Sequence, residues 1–318
     1  MNILVTGGLG ILGCSILRNL SETKNNILVY DKKKNFKYFK KLALVRSKFV
    51  SGDLTDFNKI KRIIIRYKIK AIFHLGAQTQ VLRALKDPET TYKINLISTI
   101  KILETIRNLD KKILFIYSSS DKAYGELKSG SYYENHPLSS IYPYDVSKST
   151  SDLIAQSYSK TYNLKVGIIR SANIFGPNDK NLKRIVPETI VNLLNKKKIL
   201  IRSNGKLKRD YIYVDDVANA YLLTFKKLLK RKNNLLIYNV GSKYNLSVIE
   251  IVKKISNIMK IKGRFYLIKN NSKQEINNQR LNYSKISREL GWKQKISLKE
   301  GLTKTINWYK NNLSMFKL

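Results

Sequence analysis

The sequence predicts an α/β protein with a doubly wound parallel sheet and a smaller C-terminal α/β domain that binds the substrate. Three observations lead to this prediction. Short apolar runs alternate with helical patterns in the first half of the chain. A glycine-rich segment links the first run to the first helix, and a carboxylate ends the second run. The 318 residues suit two modest domains that share an interface.

Six strands are expected in the first half because each is a nearly continuous run of Ile, Val, Leu and Phe, typical of strands buried on both faces. They are MNILVT, NILVYD, KFVSG, KAIFHLG, KKILFIYSS and LKVGIIRS. Between them, apolar residues recur at helical spacing in ILGCSILRNL, FNKIKRIIIRYK, TTYKINLISTIKILETIRNL and YDVSKSTSDLIAQSYSKTY.

After NIFGP (Asn173 to Pro177) the alternation is less regular. We predict a helix over about 187–196, strands at DYIYV and LLIYNVG, and helices at DDVANAYLLTFKKLL, VIEIVKKISNIM and GLTKTINWYK. Residues 1–175 are therefore expected to form a dinucleotide-binding domain, to which segments near 210–240 return. Residues 176–318 are expected to be mainly the substrate-binding domain.

The composition excludes several classes of protein. The 61 Lys+Arg and 22 Asp+Glu give a formal net charge of +39, but the lysines are spread over nearly every surface segment. We therefore attribute the charge to a compositional bias and expect no nucleic-acid partner. The positive charge would still favour anionic small ligands. No run approaches the ~20 apolar residues of a membrane span, and the N-terminus lacks a signal-peptide pattern. With Cys14 as the only cysteine and two histidines, we expect a cytoplasmic, metal-free protein without a membrane anchor.

The segment VTGGLGILG predicts a Rossmann-type dinucleotide site. Gly7, Gly10 and Gly13 allow a tight turn, close approach of the backbone to a pyrophosphate, and close packing of helix on sheet. The phosphates would then bind free N–H groups at the N-terminus of the helix.

Asp31, at the end of the second strand, favours NAD because a carboxylate can hold two ribose hydroxyls but repels a 2′-phosphate. The neighbouring Lys32, Lys33 and Lys34 leave NADP open, although we prefer to interpret them as a solvated loop. Asp53 in SGDLTD is expected either to bond the adenine amino group or to cap a helix.

Tyr144 and Lys148 in PYDVSK are four residues apart, so they share one face of a helix whose first turn Pro143 suits. A tyrosine is a poor base at neutral pH. A nearby ammonium and the positive nicotinamide ring both favour the phenolate and so lower the pKa of the tyrosine. This pair is therefore predicted to take a proton from a sugar hydroxyl while hydride leaves its carbon for NAD.

These motifs together resemble the extended short-chain dehydrogenase/reductase family, whose members act on nucleotide sugars. The resemblance extends over almost the whole chain and rests on TGGLGILG, Asp31, SGDLTD, HLGAQTQV, INLISTIKILE, Tyr144 with Lys148, NIFGP, RDYIYVDD and RELGW. It implies a homodimer formed through the helices that carry Asn95 and Tyr144. It also implies further cofactor contacts from Ile11, Leu12, Leu54, Leu75, Ala77, Gln78 and Asn95, in addition to Tyr144 and Lys148.

The same resemblance implies that the substrate is a nucleotide-diphosphate sugar. Its implied contacts are Gln78, Ser120, Asn173, Arg209 and Arg280, with Arg202 near the nucleotide base. For each arginine, a simple surface charge is the alternative in so basic a chain.

Ser120, Asp121 and Lys122 stand in a row where the fifth strand ends. By resemblance, Ser120 hydrogen-bonds the hydroxyl that is oxidised. Epimerases follow this serine with small uncharged residues, whereas 4,6-dehydratases have an acid, as Asp121 is here. Once C4 is a ketone the C5 hydrogen is acidic, and water can leave from C6 if an acid protonates that hydroxyl. Asp121 must hold a proton to do so, and burial would have to outweigh the adjacent ammonium.

Lys122 stands where many dehydratases have a glutamate as C5 base. It is expected either to act as that base with a lowered pKa, or to orient Asp121 or the 4-keto oxygen. The Ser-Asp-Lys combination and HPLSSIYPYDVSKS resemble the CDP-glucose 4,6-dehydratase branch. RDYIYVDD resembles epimerases and other dehydratases instead, so CDP, GDP, UDP and dTDP all stay open.

The resemblance therefore implies an NAD-dependent nucleotide-sugar 4,6-dehydratase. A 4-epimerase of the same fold is the first alternative, with Asp121 and Lys122 in structural roles. A non-catalytic binder of NAD or nucleic acid is the second alternative, and the joint presence of Ser120, Tyr144 and Lys148 disfavours it.

Overall fold

A seven-stranded parallel sheet forms the centre of the computed structural model, which describes residues 1–32, 39, 40, 42, 44, 46–126, 129–230, 234–261, 266–269 and 276–316. Its strands are β1 (Asn2–Thr6), β2 (Asn26–Asp31), β3 (Ser47–Ser51), β4 (Ala71–His74), β5 (Leu114–Ser120), β6 (Val166–Ser171) and β10 (Leu235–Val240). They lie in the order β10-β6-β5-β4-β1-β2-β3, and every neighbouring pair is parallel.

Helices pack on both faces of this sheet because its strands are apolar on both sides. Ile3 and Val5 of β1 belong to one buried core and Leu4 to the other, and all three are 0% exposed. The helices are α1 (Ile11–Ser21), α2 (Phe57–Arg66), α3 (Val81–Lys86), α4 (Pro88–Tyr92), α5 (Ser98–Leu109), α6 (Pro143–Tyr162), α7 (Ile185–Leu194), α8 (Val214–Lys230), α9 (Val248–Ile258), α10 (Ser284–Leu290) and α11 (Leu298–Asn311). Helices α1 and α8 pack together on one face, and α2, α5 and α6 on the other.

Two small sheets lie outside the large one. Strand β9 (Lys208–Tyr213) is the centre of the first, where it pairs with β7 (Asn173–Phe175), β11 (Asn245–Ser247) and β13 (Asn278–Gln279). The second consists of β8 (Ile199–Ile201) and β12 (Tyr266–Ile268). Strand β10, by contrast, lies in the 210–240 segment and joins the large sheet beside β6.

The predicted fold class, the six early strands and the helical patterns between them are confirmed. One pattern is not a single α-helix, because its centre, Lys93–Ile97, is a π-helical turn between α4 and α5. The predicted helix over 187–196 runs over Ile185–Leu194. Helices α3 and α10 and the strands of two or three residues were not predicted, since so short a segment carries no readable period. The predicted domain boundaries stay a prediction.

The carboxyl ends of the parallel strands meet at one edge of the sheet, where doubly wound proteins bind ligands. The strand order reverses between β1 and β4, and the glycine-rich segment follows β1 there. Ser120 ends the neighbouring strand β5. Within the described ranges, no helix combines the length and apolar character needed to span a bilayer.

Candidate active site

The glycine-rich loop follows β1 and can be built only from glycine at two points. Gly7 has φ +64°, and a Cβ there would lie 2.4 Å from the Cα of Gly76. A Cβ at Gly13 would lie 2.4 Å from the carbonyl oxygen of Gly8. Gly10 precedes α1, and no side chain caps this end of the helix. No side chain therefore caps the first backbone N–H groups of α1, at Ile11 and Leu12. This end of the helix is suited to bind an anion.

Asp31 lies beside this loop, as the cofactor prediction requires. Its Oδ2 accepts a hydrogen bond of 2.9 Å from Leu9 N, and its Oδ1 one of 2.7 Å from Lys32 N. These bonds fix the carboxylate at the end of β2. The ammonium of Lys32 forms an ion pair of 3.4 Å with Asp53. The NADP alternative also involved Lys33 and Lys34, which lie outside the described residues.

Asp53 is not the helix cap that was one of its two interpretations. Its Oδ1 accepts from the N and Oγ1 of Thr55 at 3.0 and 2.9 Å, whereas Asp56 caps α2 by accepting from Lys59 N. Asp53 instead lines a cavity of about 190 Å³. Three other predicted cofactor residues line the same cavity, namely Leu54, Ala77 and Gln78. Leu75 lies just before Ala77 and Gln78 in the chain and donates its N–H to Thr6 O.

Asn95 and Gln78 use their polar atoms within the protein. The Asn95 amide accepts from Gln78 N at 2.8 Å and donates to Gln78 O at 3.0 Å and Ser147 Oγ at 2.8 Å. The Gln78 amide in turn bonds Gln80 and Thr91. These contacts tie the segment after β4 to α6, so both side chains position the site. Direct ligand contacts from them stay a prediction.

Ser120 and Asp121 begin a turn of 3₁₀ helix, Asp121–Tyr124, at the end of β5. Ser120 Oγ donates to Asp121 Oδ1 at 3.0 Å and accepts from Lys122 N at 3.2 Å. Burial raises the pKa of the Asp121 carboxyl, although Lys122, the Ser120 hydroxyl and Arg209 act in the opposite direction. Asp121 Oδ2 is buried and bonds no described residue. Burial thus favours the protonated carboxyl, which has one buried oxygen that no described residue bonds.

Tyr144 lies in the first turn of α6, after Pro143. Its side chain is buried, and this burial raises the pKa of its hydroxyl, as do Asp145 and Asp121. Arg184 and the Ser120 hydroxyl act against this rise. The net direction is opposite to the lowering expected from the Tyr144–Lys148 spacing, because desolvation of the phenolate outweighs the effect of the Arg184 charge.

Lys148 is also buried, one helical turn after Tyr144. Its Nζ donates to Ser118 O at 2.7 Å and lies 5.1 Å from the centroid of the Tyr117 ring. Burial lowers the pKa of Lys148 to about 8, with Asp152 acting in the opposite direction. Ser120, Asp121 and Tyr144 thus lie together, with Lys148 held behind them against β5.

The sheet around β9 brings three predicted substrate residues near one another: Asn173 and Arg209 lie on neighbouring strands, and Arg280 directly follows β13. Asn173 starts β7 opposite Tyr211, and Gln279, next to Arg280, pairs with Arg209. Arg209 is buried, donates to Lys208 O at 2.8 Å and acts on the pKa of Asp121, while Arg280 is exposed.

Arg202 is separate from this group. It follows β8, outside the β9 sheet, and forms a bidentate pair with Glu188 on α7 at 2.9 and 2.7 Å. The predicted contact of Arg202 near the nucleotide base stays a proposal. The ion pair argues against it because Glu188 already binds the guanidinium.

Two charged residues near the site were not predicted. Arg184 acts to lower the pKa of Tyr144 and donates to Asp179 Oδ2 at 2.9 Å. Nothing in the sequence pattern indicates Arg184 as a site residue. Asp210 follows Arg209 in RDYIYVDD; burial, with a smaller contribution from the charge of Asp121, raises its pKa to about 6. The motif could have indicated Asp210. In the part of the chain that is described, no three His, Cys, Asp or Glu side chains are grouped to hold a metal ion.

Comparison with known proteins finds a match over nearly the whole chain. The family model for GDP-mannose 4,6 dehydratase matches residues 4–305. The dTDP-D-glucose 4,6-dehydratase of Dictyostelium discoideum is 31% identical, over 98% of this chain and 82% of that protein. The dTDP-glucose 4,6-dehydratase of Streptomyces venezuelae, crystallised with NAD bound, has a TM-score of 0.91 and 27% identity, covering 99% and 98% of the two chains. The UDP-glucose 4-epimerase of Thermotoga maritima has 0.87 and 29%, covering 98% and 100%.

Proposed function

This chain belongs to the GDP-mannose 4,6-dehydratase family, within the extended short-chain dehydrogenases/reductases, and we propose that it is an NAD-dependent nucleotide-sugar 4,6-dehydratase. The observation that carries this proposal is Asp121. Its carboxyl is buried beside Ser120, its pKa is raised, and its Oδ2 bonds no described residue. An epimerase has no leaving hydroxyl to protonate, whereas a dehydratase needs such an acid.

The cofactor proposal rests on the fit of the chain to a dinucleotide. The uncapped end of α1 suits the pyrophosphate, the fixed Asp31 carboxylate suits the ribose hydroxyls, and the cavity beside Asp53 and Leu54 suits the adenine. When bound, NAD would accept a hydride from C4 and return it to C6.

The chain's own residues would then move the protons. Ser120 would donate to the C4 oxygen while Tyr144 takes the C4 hydroxyl proton, with the positive nicotinamide favouring the phenolate against the effect of burial. Asp121 would give its proton to the C6 hydroxyl, which leaves as water. Lys122 would take the C5 proton and return it there when the hydride reaches C6, if it acts as the base. Orientation of Asp121 is its alternative role.

The proton balance closes through Ser120, which donates to Asp121 and acts to lower the pKa of Tyr144. At the end of a turnover Tyr144 holds the proton from C4 and Asp121 has lost its own. A shift along Tyr144, Ser120 and Asp121 restores the starting state. The net reaction is loss of one water from the sugar, with no NAD consumed.

For the nucleotide, two indications differ. The Ser120-Asp121-Lys122 combination supports a CDP-hexose, whereas the names of relatives support a dTDP-hexose. The test is mass spectrometry of the product after incubation with CDP-, GDP-, UDP- and dTDP-hexoses. Loss of one water from one substrate, with no net NAD reduction, is the expected result. No mass change with any substrate would contradict the dehydratase.

A 4-epimerase is the second candidate, because RDYIYVDD resembles epimerases and the T. maritima epimerase has a closely similar fold. In that case the mass spectrometry experiment would show an unchanged mass, and nuclear magnetic resonance would show inversion at C4.

We further propose a homodimer formed through α5 and α6, in the cytoplasm. Large apolar side chains are exposed on these helices, with Leu109 at 44% and Leu153 at 50%. Asn95 itself is buried, so the contact would involve the outward faces of the helices. Leu153→Asp should convert a dimer to a monomer in sedimentation, while Leu229→Asp, at a similarly exposed leucine (43%) on α8, should not. A monomeric wild-type protein would contradict the proposal.

A further inference from the structure

A buried ion pair lies beside the site and has no part in the proton steps above. Arg170 on β6 bonds Asp152 on α6 twice, Nε to Oδ2 at 2.9 Å and Nη2 to Oδ1 at 3.0 Å. The two side chains are 2% and 0% exposed. Desolvation largely offsets the attraction in such a pair, so stability alone explains it poorly. Its bidentate geometry, however, fixes distance and orientation.

Asp152 holds the start of the Ser120 turn. Ser119, which immediately precedes Ser120, donates from Oγ to Asp152 Oδ2 at 2.7 Å. Gln156, one turn further along α6, donates to Asp152 Oδ1 at 2.7 Å. The carboxylate therefore connects the end of β5 to α6.

Arg170 holds the other end of the same turn. Its Nη1 donates to Tyr124 Oη at 2.8 Å, and its guanidinium carbon lies 4.9 Å from the centroid of the Tyr124 ring. Tyr124 closes the 3₁₀ turn that begins at Asp121. Its hydroxyl donates in turn to Asn239 Oδ1 at 2.7 Å. The ion pair thus bonds Ser119 before, and Tyr124 after, the residues Ser120, Asp121 and Lys122.

The pair also places a negative charge on the Lys148 side of α6. Tyr144, Lys148 and Asp152 recur every four residues and so share one helix face. The titratable groups that face Lys148 are Asp152 and Tyr144 on α6, Tyr117 on β5 and His74 on β4. In the absence of the nicotinamide, burial favours the neutral form of both tyrosines by raising the pKa of their hydroxyls, and that of His74 by lowering its pKa to about 3. Among these groups, Asp152 supplies the anion.

We propose that Asp152 and Arg170 are positioning residues for this active site. Together they fix the Ser120–Lys122 turn relative to Tyr144, and Asp152 places its carboxylate on the face of α6 that carries Lys148. This inference rests on the proposed function for its effect on turnover, but its effect on Lys148 can be measured without any substrate.

The first test is Asp152→Asn, which keeps the shape and removes the charge. Lys148 would be observed by its side-chain nitrogen-15 resonance, identified by its loss in Lys148→Met. The titration midpoint of Lys148 should fall by roughly one pH unit in Asp152→Asn. Asp152→Glu should bring the midpoint back towards the wild-type value. An unchanged midpoint in folded Asp152→Asn would overturn the inference, whatever the substrate proves to be.

The second test removes the Arg170–Tyr124 hydrogen bond that holds the turn while leaving the charge of Asp152 in place. Tyr124→Phe removes the hydroxyl that Arg170 bonds but keeps the ring stacked on Tyr132, with centroids 4.8 Å apart. Reduction of bound NAD on mixing with the accepted nucleotide sugar should slow roughly tenfold or more, with an unchanged KM and an unchanged Lys148 titration. A wild-type rate would overturn the inference that the Arg170–Tyr124 bond positions the turn.

Asp216→Asn is the matched control. Asp216 is a buried carboxylate that accepts from Lys295 N and Ile296 N, at 2.9 and 3.0 Å, rather than from site residues. This variant should lose thermal stability but keep the Lys148 midpoint. If it moves the midpoint as much as Asp152→Asn does, general loosening explains the effect and the inference fails. Folded wild-type protein that reduces no bound NAD with any of the CDP-, GDP-, UDP- and dTDP-hexoses would instead contradict the proposed function.

Discussion

Replacement of Asp121 by asparagine tests the proposed acid with little disturbance of the fold. Burial already favours the neutral carboxyl, and asparagine is neutral and of nearly the same shape. The bond from Ser120 Oγ to Oδ1, 3.0 Å long, can be kept by the amide oxygen. The change should therefore alter the free energy of unfolding by no more than about 1 kcal/mol, the net contribution of one hydrogen bond.

The effect on chemistry should be much larger and confined to one step. An amide cannot protonate the C6 hydroxyl, and a general acid contributes about 10²–10⁴-fold. Elimination of water should slow by that factor, which corresponds to about 3–5 kcal/mol in the barrier. Oxidation at C4 should continue because Ser120 and Tyr144 are unchanged. Reduced nicotinamide should therefore accumulate on the enzyme instead of being reoxidised.

Rapid mixing with the accepted nucleotide sugar, followed by nicotinamide absorbance, would show this accumulation, and mass spectrometry would follow the water. Glu126→Gln is the control, because Glu126 is an exposed carboxylate just beyond the same turn. It should turn over like the wild type. If Asp121→Asn loses water at the wild-type rate, Asp121 is not the acid and the reasoning from its burial is wrong.

Three further predictions concern other groups. Tyr144→Phe should slow C4 oxidation by roughly 10²–10⁴-fold, because phenylalanine cannot take the proton, with bound NAD content unchanged on analysis of the purified protein. Lys122→Met should abolish deuterium exchange at C5 while C4 oxidation persists, if Lys122 is the base; continued exchange would favour the orienting role. Burial lowers the pKa of His74 to about 3. The contribution of neutral His74 to the free energy of unfolding is therefore complete above the unfolded-state pKa of about 6.5. This contribution is lost as the pH falls from there towards 3. His74→Gln should remove this dependence, about 3 kcal/mol at pH 4.5, from acid denaturation curves.

The fold was predictable because its determinants are local. Each parallel strand is buried on both faces, so its apolar run is visible in the sequence. Gly7 and Gly13 were predictable for the same reason, since a side chain at either would overlap neighbouring backbone. Strands such as β7 and β13 were not, because two or three residues have no period and pairing with β9 alone defines them.

The proximity of Ser120, Asp121 and Tyr144 was more predictable than their energetics. The spacing of Tyr144 and Lys148 indicates that they share a face, but the direction of the Tyr144 pKa depends on how deeply the fold buries it. The contact between Arg184 and Asp179, and the ion pair of Arg202 with Glu188, depend on packing between distant segments. Sequence spacing carries no information about such contacts.

The juxtaposition of Asp121 and Lys122 has a physical rationale in a dehydratase. Before elimination Asp121 must be neutral, which burial favours; after it, the carboxylate must exist briefly, which Lys122 and Arg209 favour. Ser120 then connects this carboxylate to Tyr144, which holds the proton taken from C4. An epimerase uses none of these steps, since Tyr144 alone takes and returns one proton. In an epimerase the buried Asp121 would only add a desolvation cost. The Ser120-Asp121-Lys122 turn is therefore better matched to the loss of water than to inversion at C4.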